Sequence, residues 1–265
     1  MKRALGVIPA RYSSVRFPGK LLAPLGGRPL VEHVWRRLVL ARRIDRVVVA
    51  TDDERIAAAC RAFGAEVRMT SAEHTSGTDR VAEVAESIRD PFDVIVNVQG
   101  DEPFVSASSV DRLVATFDAE PPPEMATLVE PFRDADDLFD PNHAKVVTTL
   151  DGRALYFSRA PIPYHRGGQA ALAADFSGEL AARPNGLAGY WKHQGIYAFR
   201  PDILRELTRT APSPLERDEG LEQLRALQAG FTIQVVESDF RSVTVDTPAD
   251  LARAARVLAL TEADA

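Results

Sequence analysis

The chain has 265 residues, 45% of them hydrophobic and 26% charged, with a formal net charge of −6. That length and composition suit one large α/β unit able to bury a core, and the acidic balance argues against a nucleic-acid binder, which needs a basic face. A single cysteine, Cys60, excludes an internal disulfide framework and a cysteine-based zinc cluster. No run of about 18 apolar residues marks a membrane span, and the N-terminus runs straight into strand-like sequence, so the expectation is a cytoplasmic protein without membrane insertion.

Leu5, Val7 and Ile8 form a short apolar, partly β-branched run that predicts a buried strand, ending at Pro9 because proline cannot donate to a sheet ladder. The following loop holds Arg11, Arg16 and Lys20 among Ser13, Ser14, Pro18 and Gly19. A helix starts near Pro29 with Leu30, Val34, Leu38 and Ala41 on one face. Arg46–Ala50 reads as a second strand; Thr51-Asp52-Asp53 caps a helix closing near Gly64, with Cys60 on its apolar face beside Ile56 and Phe63. Ala65–Met69 is a third strand, a polar loop spans Thr70–Gly77, and Val81, Val84 and Ile88 mark the next helix. Asp93–Val98 is a nearly continuous apolar run, the mark of a strand covered on both faces. Such alternation predicts a doubly wound, mostly parallel sheet with helices on both faces.

After a helix over Val110–Phe117 and the stiff Pro121-Pro122-Pro123 connector, the rhythm changes. Met125–Val129 and Lys145–Leu150 read as strands, and Asp151-Gly152 turns the chain back through Leu155-Tyr156-Phe157. Residues 166–190 are rich in Gly and Ala without periodicity. Strand character resumes at Ile196–Phe199, and Leu215–Gln228 reads as one helix closed by Gly230, with Gly220 inside it at a cost of ~1 kcal/mol relative to Ala. A strand pair is expected over Phe231–Val245, then a helix capped by Thr247 with Pro248 at its first position and Asp250 three residues after the cap. With no internal repeat and no low-complexity linker, the reading is one unit over residues 1–265 with an inserted subdomain at roughly 150–200.

Two stretches carry chemistry. In an open α/β sheet the loop leaving the carboxyl end of the first strand faces the ligand crevice, so Arg11, Arg16 and Lys20 suit a polyanion such as a triphosphate. A solvated loop is the plainer alternative, since neither common phosphate-loop motif is present. Val98-Gln99-Gly100-Asp101-Glu102-Pro103 places Gln99 and two acids at another strand's carboxyl end, where a metal-binding carboxylate or an ordinary turn fits equally well. Asp246, after Ser242-Val243-Thr244-Val245, is either a second such carboxylate or a member of the next helix cap. Two separated aspartates with a cationic loop are what a magnesium nucleotide site needs, because Mg²⁺ commonly binds one or two carboxylates together with substrate phosphates.

Ile8-Pro9-Ala10-Arg11-Tyr12-Ser13-Ser14-Val15-Arg16-Phe17-Pro18-Gly19-Lys20 resembles the opening signature of the 3-deoxy-manno-octulosonate (Kdo) cytidylyltransferases. His74-Thr75-Ser76-Gly77-Thr78-Asp79-Arg80, Asn97–Pro103, Tyr156-Phe157-Ser158-Arg159, His193 with Gly195-Ile196-Tyr197, Leu221-Glu222-Gln223-Leu224-Arg225 and Val245-Asp246-Thr247-Pro248 match further motifs of that family in order. The resemblance covers nearly the whole chain. It implies a Rossmann-like nucleotide-diphospho-sugar transferase fold, an inserted dimerisation subdomain and a homodimer. The implied reaction is CTP plus Kdo giving CMP-Kdo and pyrophosphate, for lipopolysaccharide synthesis.

Residue roles follow by matching position. Arg11 and Lys20 would hold the triphosphate, Lys20 at the α-phosphate, with Arg16 on the β- and γ-phosphates. Arg80, Gln99 and the backbone near Ala10 would serve the cytidine and phosphate end. Asp101 and Asp246 would share Mg²⁺ and, with Arg11 and Lys20, carry catalysis. Arg159, His193, Tyr197, Glu222 and Gln223 would line the sugar-acid pocket, its cations facing the carboxylate. Other readings on the same scaffold are a cytidylyltransferase for 8-amino-Kdo or another acidic sugar, and a catalytically silent nucleotide-binding homologue.

Overall fold

The structure, a computed structural model, describes residues 2–14, 16–164, 187 and 189–263, with the side chains of 261–263 excepted. Its axis is β1 (Ala4–Ala10), buried at every residue. Leu5, Val7 and Ile8 are completely covered, each burial stabilising by at most ~1.5–3 kcal/mol. Around it lies a sheet of order β11 (Ile233–Glu237), β7 (Met125–Pro131), β10 (Trp191–Phe199), β6 (Val94–Asn97), β1, β4 (Arg46–Thr51) and β5 (Glu66–Met69). β8 (Lys145–Thr148) adds to β10, and β9 (Ala154–Ser158) adds to β8. The small strands β2 (Pro24–Leu25) and β3 (Arg28–Pro29) pair only with each other. β6–β1–β4–β5 and β7–β11 run parallel, whereas β10 is antiparallel to β6, β7 and β8.

Alternation along β1 divides the core. Leu5 and Val7 face one side with Val48 and Ile95, under α3 (Gly77–Ser87), α6 (Pro201–Arg209) and α8 (Gln223–Gln228). Ala4 and Ile8 face the other with Val49 and Val96, under α1 (Leu30–Leu38), α2 (Glu54–Ala62), α4 (Ala107–Ala115) and α9 (Pro248–Ala263). Cys60 is part of that second layer and fully buried. The mixed, mostly parallel sheet with helices on both faces is therefore the architecture present. No helix among the described residues is long and apolar enough to cross a membrane.

Several boundaries differ from expectation for identifiable reasons. β1 continues through Pro9 because the ladder does not need its missing N–H. The Val7 carbonyl accepts from Val98, so Pro9, two residues on, faces the same side, where β6 has already ended at Asn97. The single helix expected over Leu215–Gln228 is two, α7 (Pro214–Glu219) and α8, because Gly220 adopts φ 61° and terminates the first as its C-cap. The glycine cost assigned to a helix interior thus falls at a position that favours glycine. The second strand expected within Phe231–Val245 is absent: residues 241–246 are irregular, and Val245 N–H goes to the Asp101 carbonyl instead of a ladder. Two short helices, α5 (Ala135–Phe139) and α6, were not expected. Of the Gly/Ala-rich stretch at 166–190, residues 166–186 and 188 lie outside the described residues, and with them the middle of the segment expected as an inserted subdomain; the described part of 150–200 holds β9 and β10.

Candidate active site

The carboxyl ends of β1 and β6 open onto one cleft. Beyond Ala10 the chain doubles back, Gly19 N–H donating to the Tyr12 carbonyl at 2.9 Å. Gly19 sits at φ 70°, a conformation other residues rarely adopt, and a Cβ there would meet the Tyr12 ring at 3.0 Å. From outside, the Arg55 guanidinium stacks 3.3 Å above the Tyr12 ring centre. A short 3₁₀ turn over Lys20–Leu22 then aims the Lys20 ammonium inward. Opposite, the turn after β6 passes so close to β1 that a Cβ on Gly100 would lie 3.2 Å from the Pro9 carbonyl oxygen. α3 presents its N-terminus, closed by a capping box between Ser76 and Asp79.

The cleft has a volume of about 420 Å³. Ala10, Arg11, Arg16, Lys20, Arg80 and Gln99 all line it, together with Asp101 and Asp246. Residues 226 positions apart meet at its floor: Lys20 Nζ lies 2.5 Å from Asp101 Oδ2 and 2.9 Å from Asp246 Oδ1. Burial works against the Lys20 charge, but Asp101 and then Asp246 outweigh it and hold its pKa above the ordinary lysine value. Arg16 pairs with the other Asp246 oxygen at 2.9 Å. Asp246 is not the cap of α9; Thr247 and Asp250 form that reciprocal pair, Asp250 N–H to Thr247 Oγ1 at 3.2 Å and Thr247 N–H to Asp250 Oδ2 at 2.9 Å.

Arg80 is 3% exposed and is held by Thr70 Oγ1 and by Asp52 at 3.3 Å, so it forms a rigid wall rather than a mobile cation. His74, Thr75, Ser76 and Gly77 complete that wall. His74 is fixed by Glu83 at 2.5 Å.

A second cavity of about 290 Å³ shares Gln99 and Asp101 with the first. Arg159, His193, Tyr197, Glu222 and Gln223 all line it, brought together from three separate segments of the chain. Two of them differ in character from expectation. The Arg159 guanidinium donates to the carbonyls of Glu219 at 2.6 Å, Pro141 at 2.8 Å and Gly220 at 3.2 Å, tying the pocket rim together. His193 is not a cation, because burial pushes its pKa down to about 3. Its ring sits edge-on to Phe157, and Nε2 lies 3.0 Å from Thr127 Oγ1. Burial likewise raises the Tyr197 hydroxyl well above its ordinary value and raises Glu222 despite hydrogen bonds from Thr78 and Ser76.

Sequence reasoning missed two charged groups here. Lys192 lines the second cavity with its ammonium 3.5 Å from the buried Glu130. Glu102 is 3% exposed; burial pushes its carboxyl up to about 7 although Thr244 and Ser242 donate to it.

The donor set suits a hard divalent cation. Asp101 and Asp246 converge on one point and offer only oxygen, and no cluster of three or more His, Cys, Asp or Glu exists among the described residues. A magnesium ion held here would take its remaining ligands from substrate phosphates and water.

The chain is similar to known proteins along nearly its whole length. The family described as cytidylyltransferase matches residues 5–236. A 3-deoxy-manno-octulosonate cytidylyltransferase of Geobacter metallireducens is 49% identical over 247 residues, covering 92% of this chain and 93% of its own length. The protein of the same name from Solibacter usitatus is 45% identical over 256 residues, covering 97% of this chain and 94% of its own. A solved CMP:2-keto-3-deoxy-manno-octonic acid synthetase complexed with CTP superposes with a TM-score of 0.85 at 38% identity, covering 98% of this chain and 99% of that one. The 4-diphosphocytidyl-2C-methyl-D-erythritol synthase of Anaerococcus prevotii, 14% identical with a TM-score of 0.60, shares the fold.

Proposed function

The chain belongs to the cytidylyltransferase family, and from that premise we propose that it transfers the cytidylyl group of CTP to Kdo, giving CMP-Kdo and pyrophosphate. The observation that carries this reading is the junction of the two cavities. The cationic cleft and the sugar-side pocket meet at Gln99 and Asp101, where Lys20 and Asp246 also converge. A triphosphate in the first cavity and a sugar acid in the second would bring an α-phosphate and an anomeric hydroxyl together there. Nucleotidyl transfer needs little more than that positioning and charge neutralisation.

Arg11 and Arg16 stand at the mouth for the β- and γ-phosphates, and the N-terminal end of α3 adds its positive dipole end. Lys20 stabilises the charge that builds on the α-phosphate as the bond to pyrophosphate breaks. To do so it gives up part of its contact with the two aspartates, which are then free for Mg²⁺. Bound by Asp101 and Asp246, Mg²⁺ would neutralise phosphate charge and ease loss of the proton from the attacking hydroxyl. His193, neutral in its pocket, serves as a hydrogen-bonding group toward the sugar, and Lys192 supplies positive charge on that side.

We place the protein in the cytoplasm, where CTP is made, as a single unit serving lipopolysaccharide synthesis, without nucleic-acid partners. A homodimer formed through the region around residues 150–200 is supported by the exposed side chains of Leu150, Leu155 and Tyr164 on and beside the β8–β9 hairpin. The experiment for the sugar is pyrophosphate release with CTP and a panel of acids: Kdo, 8-amino-Kdo, sialic acid and related ulosonates. Kdo should give the highest kcat/KM. Silence with every acid would contradict the assignment, and preference for another would move the sugar.

A further inference from the structure

The acidic pair Asp101-Glu102 faces two ways. Asp101 reaches into the cleft toward Lys20, while Glu102 turns behind it and accepts from Ser242 Oγ at 2.7 Å and from Thr244 Oγ1. Those hydroxyls belong to the segment that delivers Asp246 to the site. Residues 241–246 have no strand ladder to hold them, although Ser242, Val243 and Val245 are buried. Besides Arg241 to Asp137 and Asp246 N–H to Asp250, their anchors include groups beside the site. Val245 N–H donates to the Asp101 carbonyl at 3.0 Å, Ser242 N–H donates to Glu130 Oε1 at 3.0 Å, and two hydroxyls donate to Glu102.

From this geometry we infer that Glu102 is a positioning residue. Its carboxylate ties the Ser242–Thr244 segment to the turn bearing Asp101 and so sets the spacing between Asp101 and Asp246. This inference rests on the reading of those two aspartates as partners in cytidylyl transfer. One short turn then does both jobs: residue 101 faces the reaction and residue 102 holds the opposite aspartate in place. Two hydroxyls converging on one buried carboxyl supply hydrogen bonds that stand in for the missing ladder. Glu102→Gln keeps the shape and one acceptor oxygen but offers an N–H to a hydroxyl that now donates. Thr244→Val removes a single hydroxyl and leaves Glu102 intact.

The test is binding of Mn²⁺ as a probe cation in the presence of CTP, without sugar, read by electron paramagnetic resonance. It is paired with thermal melts and with kcat and KM for CTP and Kdo in Mg²⁺. Glu102→Gln should weaken Mn²⁺ binding by ~10-fold and lower kcat, with the KM values for CTP and Kdo near wild type. Thr244→Val should move the same quantities in the same direction by a smaller factor, and it decides the matter if Glu102→Gln does not fold. A lowered melting temperature with unchanged Mn²⁺ affinity would make Glu102 a purely structural acid and overturn the inference. An effect confined to the KM for Kdo would overturn it as well, by making Glu102 a sugar contact. Wild-type protein that gains no Mn²⁺ affinity with CTP would instead reject the reading of the two aspartates, and this inference with it.

Discussion

Replacing Asp246 with Asn keeps the side chain's shape and removes its charge. In the substrate-free protein the change should be nearly silent. The α9 cap belongs to Thr247 and Asp250 and is untouched. The lost partners are Arg16, whose side chain is 57% exposed and whose pair is worth ~0–1 kcal/mol, and one of the two contacts of Lys20. Against that loss stands relief of repulsion from Asp101. Oxygens 2.5 and 2.9 Å from one ammonium lie within about 5.4 Å of each other, which corresponds to ~3 kcal/mol at an effective dielectric constant of 20 and ~0.8 kcal/mol in water. With Asp246 35% exposed, the lower end applies and the opposing effects cancel to within ~1 kcal/mol, a melting shift of no more than ~4 °C. Turnover should behave differently. Losing one preorganised charge at the reacting phosphate costs ~10²-fold or more, at least ~2.7 kcal/mol of transition-state stabilisation, while CTP affinity falls less because Arg11 and Lys20 remain. The assay is pyrophosphate release as a function of Mg²⁺ beside a thermal melt, with Asp101→Asn in parallel. A near-wild-type rate for Asp246→Asn at saturating Mg²⁺ would refute the reasoning.

His193 makes stability depend on pH. Its pKa is about 3 in the fold against 6.5 unfolded, so the unfolded chain binds a proton that the folded one refuses. Stability is complete above pH 6.5 and falls as pH drops from 6.5 toward 3, by up to ~1.4 kcal/mol per pH unit. The ring's remaining exposure to the pocket makes that an upper limit. His193→Phe should flatten the loss between pH 6.5 and 5 in urea titrations; equal slopes for variant and wild type would contradict the buried neutral imidazole. Light scattering should return about twice the 29.0 kDa chain mass, and a stable monomer at working concentration would remove the dimer. The assignment to CTP predicts that ATP turns over far more slowly than CTP; comparable rates would sink the nucleotide assignment.

The first half of the fold was legible because β1, β4 and β6 are largely apolar runs and the helices between them repeat apolar residues at helical spacing, as at Leu30, Val34 and Leu38. Residues 242–245 show why pattern alone misleads. Val243 and Val245 alternate with polar residues as a strand would, yet the Val245 N–H goes to the Asp101 carbonyl and the neighbouring Ser242 and Thr244 to Glu102 and Glu130, groups more than 110 positions away. Gly220 was misread because helix interior and helix end differ only in a backbone angle. Motif order named residues that the structure gathers around two adjoining cavities, but it carried no information on their electrostatics. That His193 is neutral, that Arg159 is held by three carbonyls, and that Lys192 faces the pocket all depend on tertiary neighbours that spacing does not reveal.

The most direct measurement is the product balance from CTP labelled at its α-phosphate, incubated with Kdo and Mg²⁺ and resolved by mass spectrometry. Transfer at the junction of the two cavities predicts that the label moves to Kdo as CMP-Kdo, with one pyrophosphate released per product. Label recovered in CDP with phosphorylated sugar, or in free CMP with Kdo unchanged, would contradict attack on the α-phosphate by a sugar held beside Asp101.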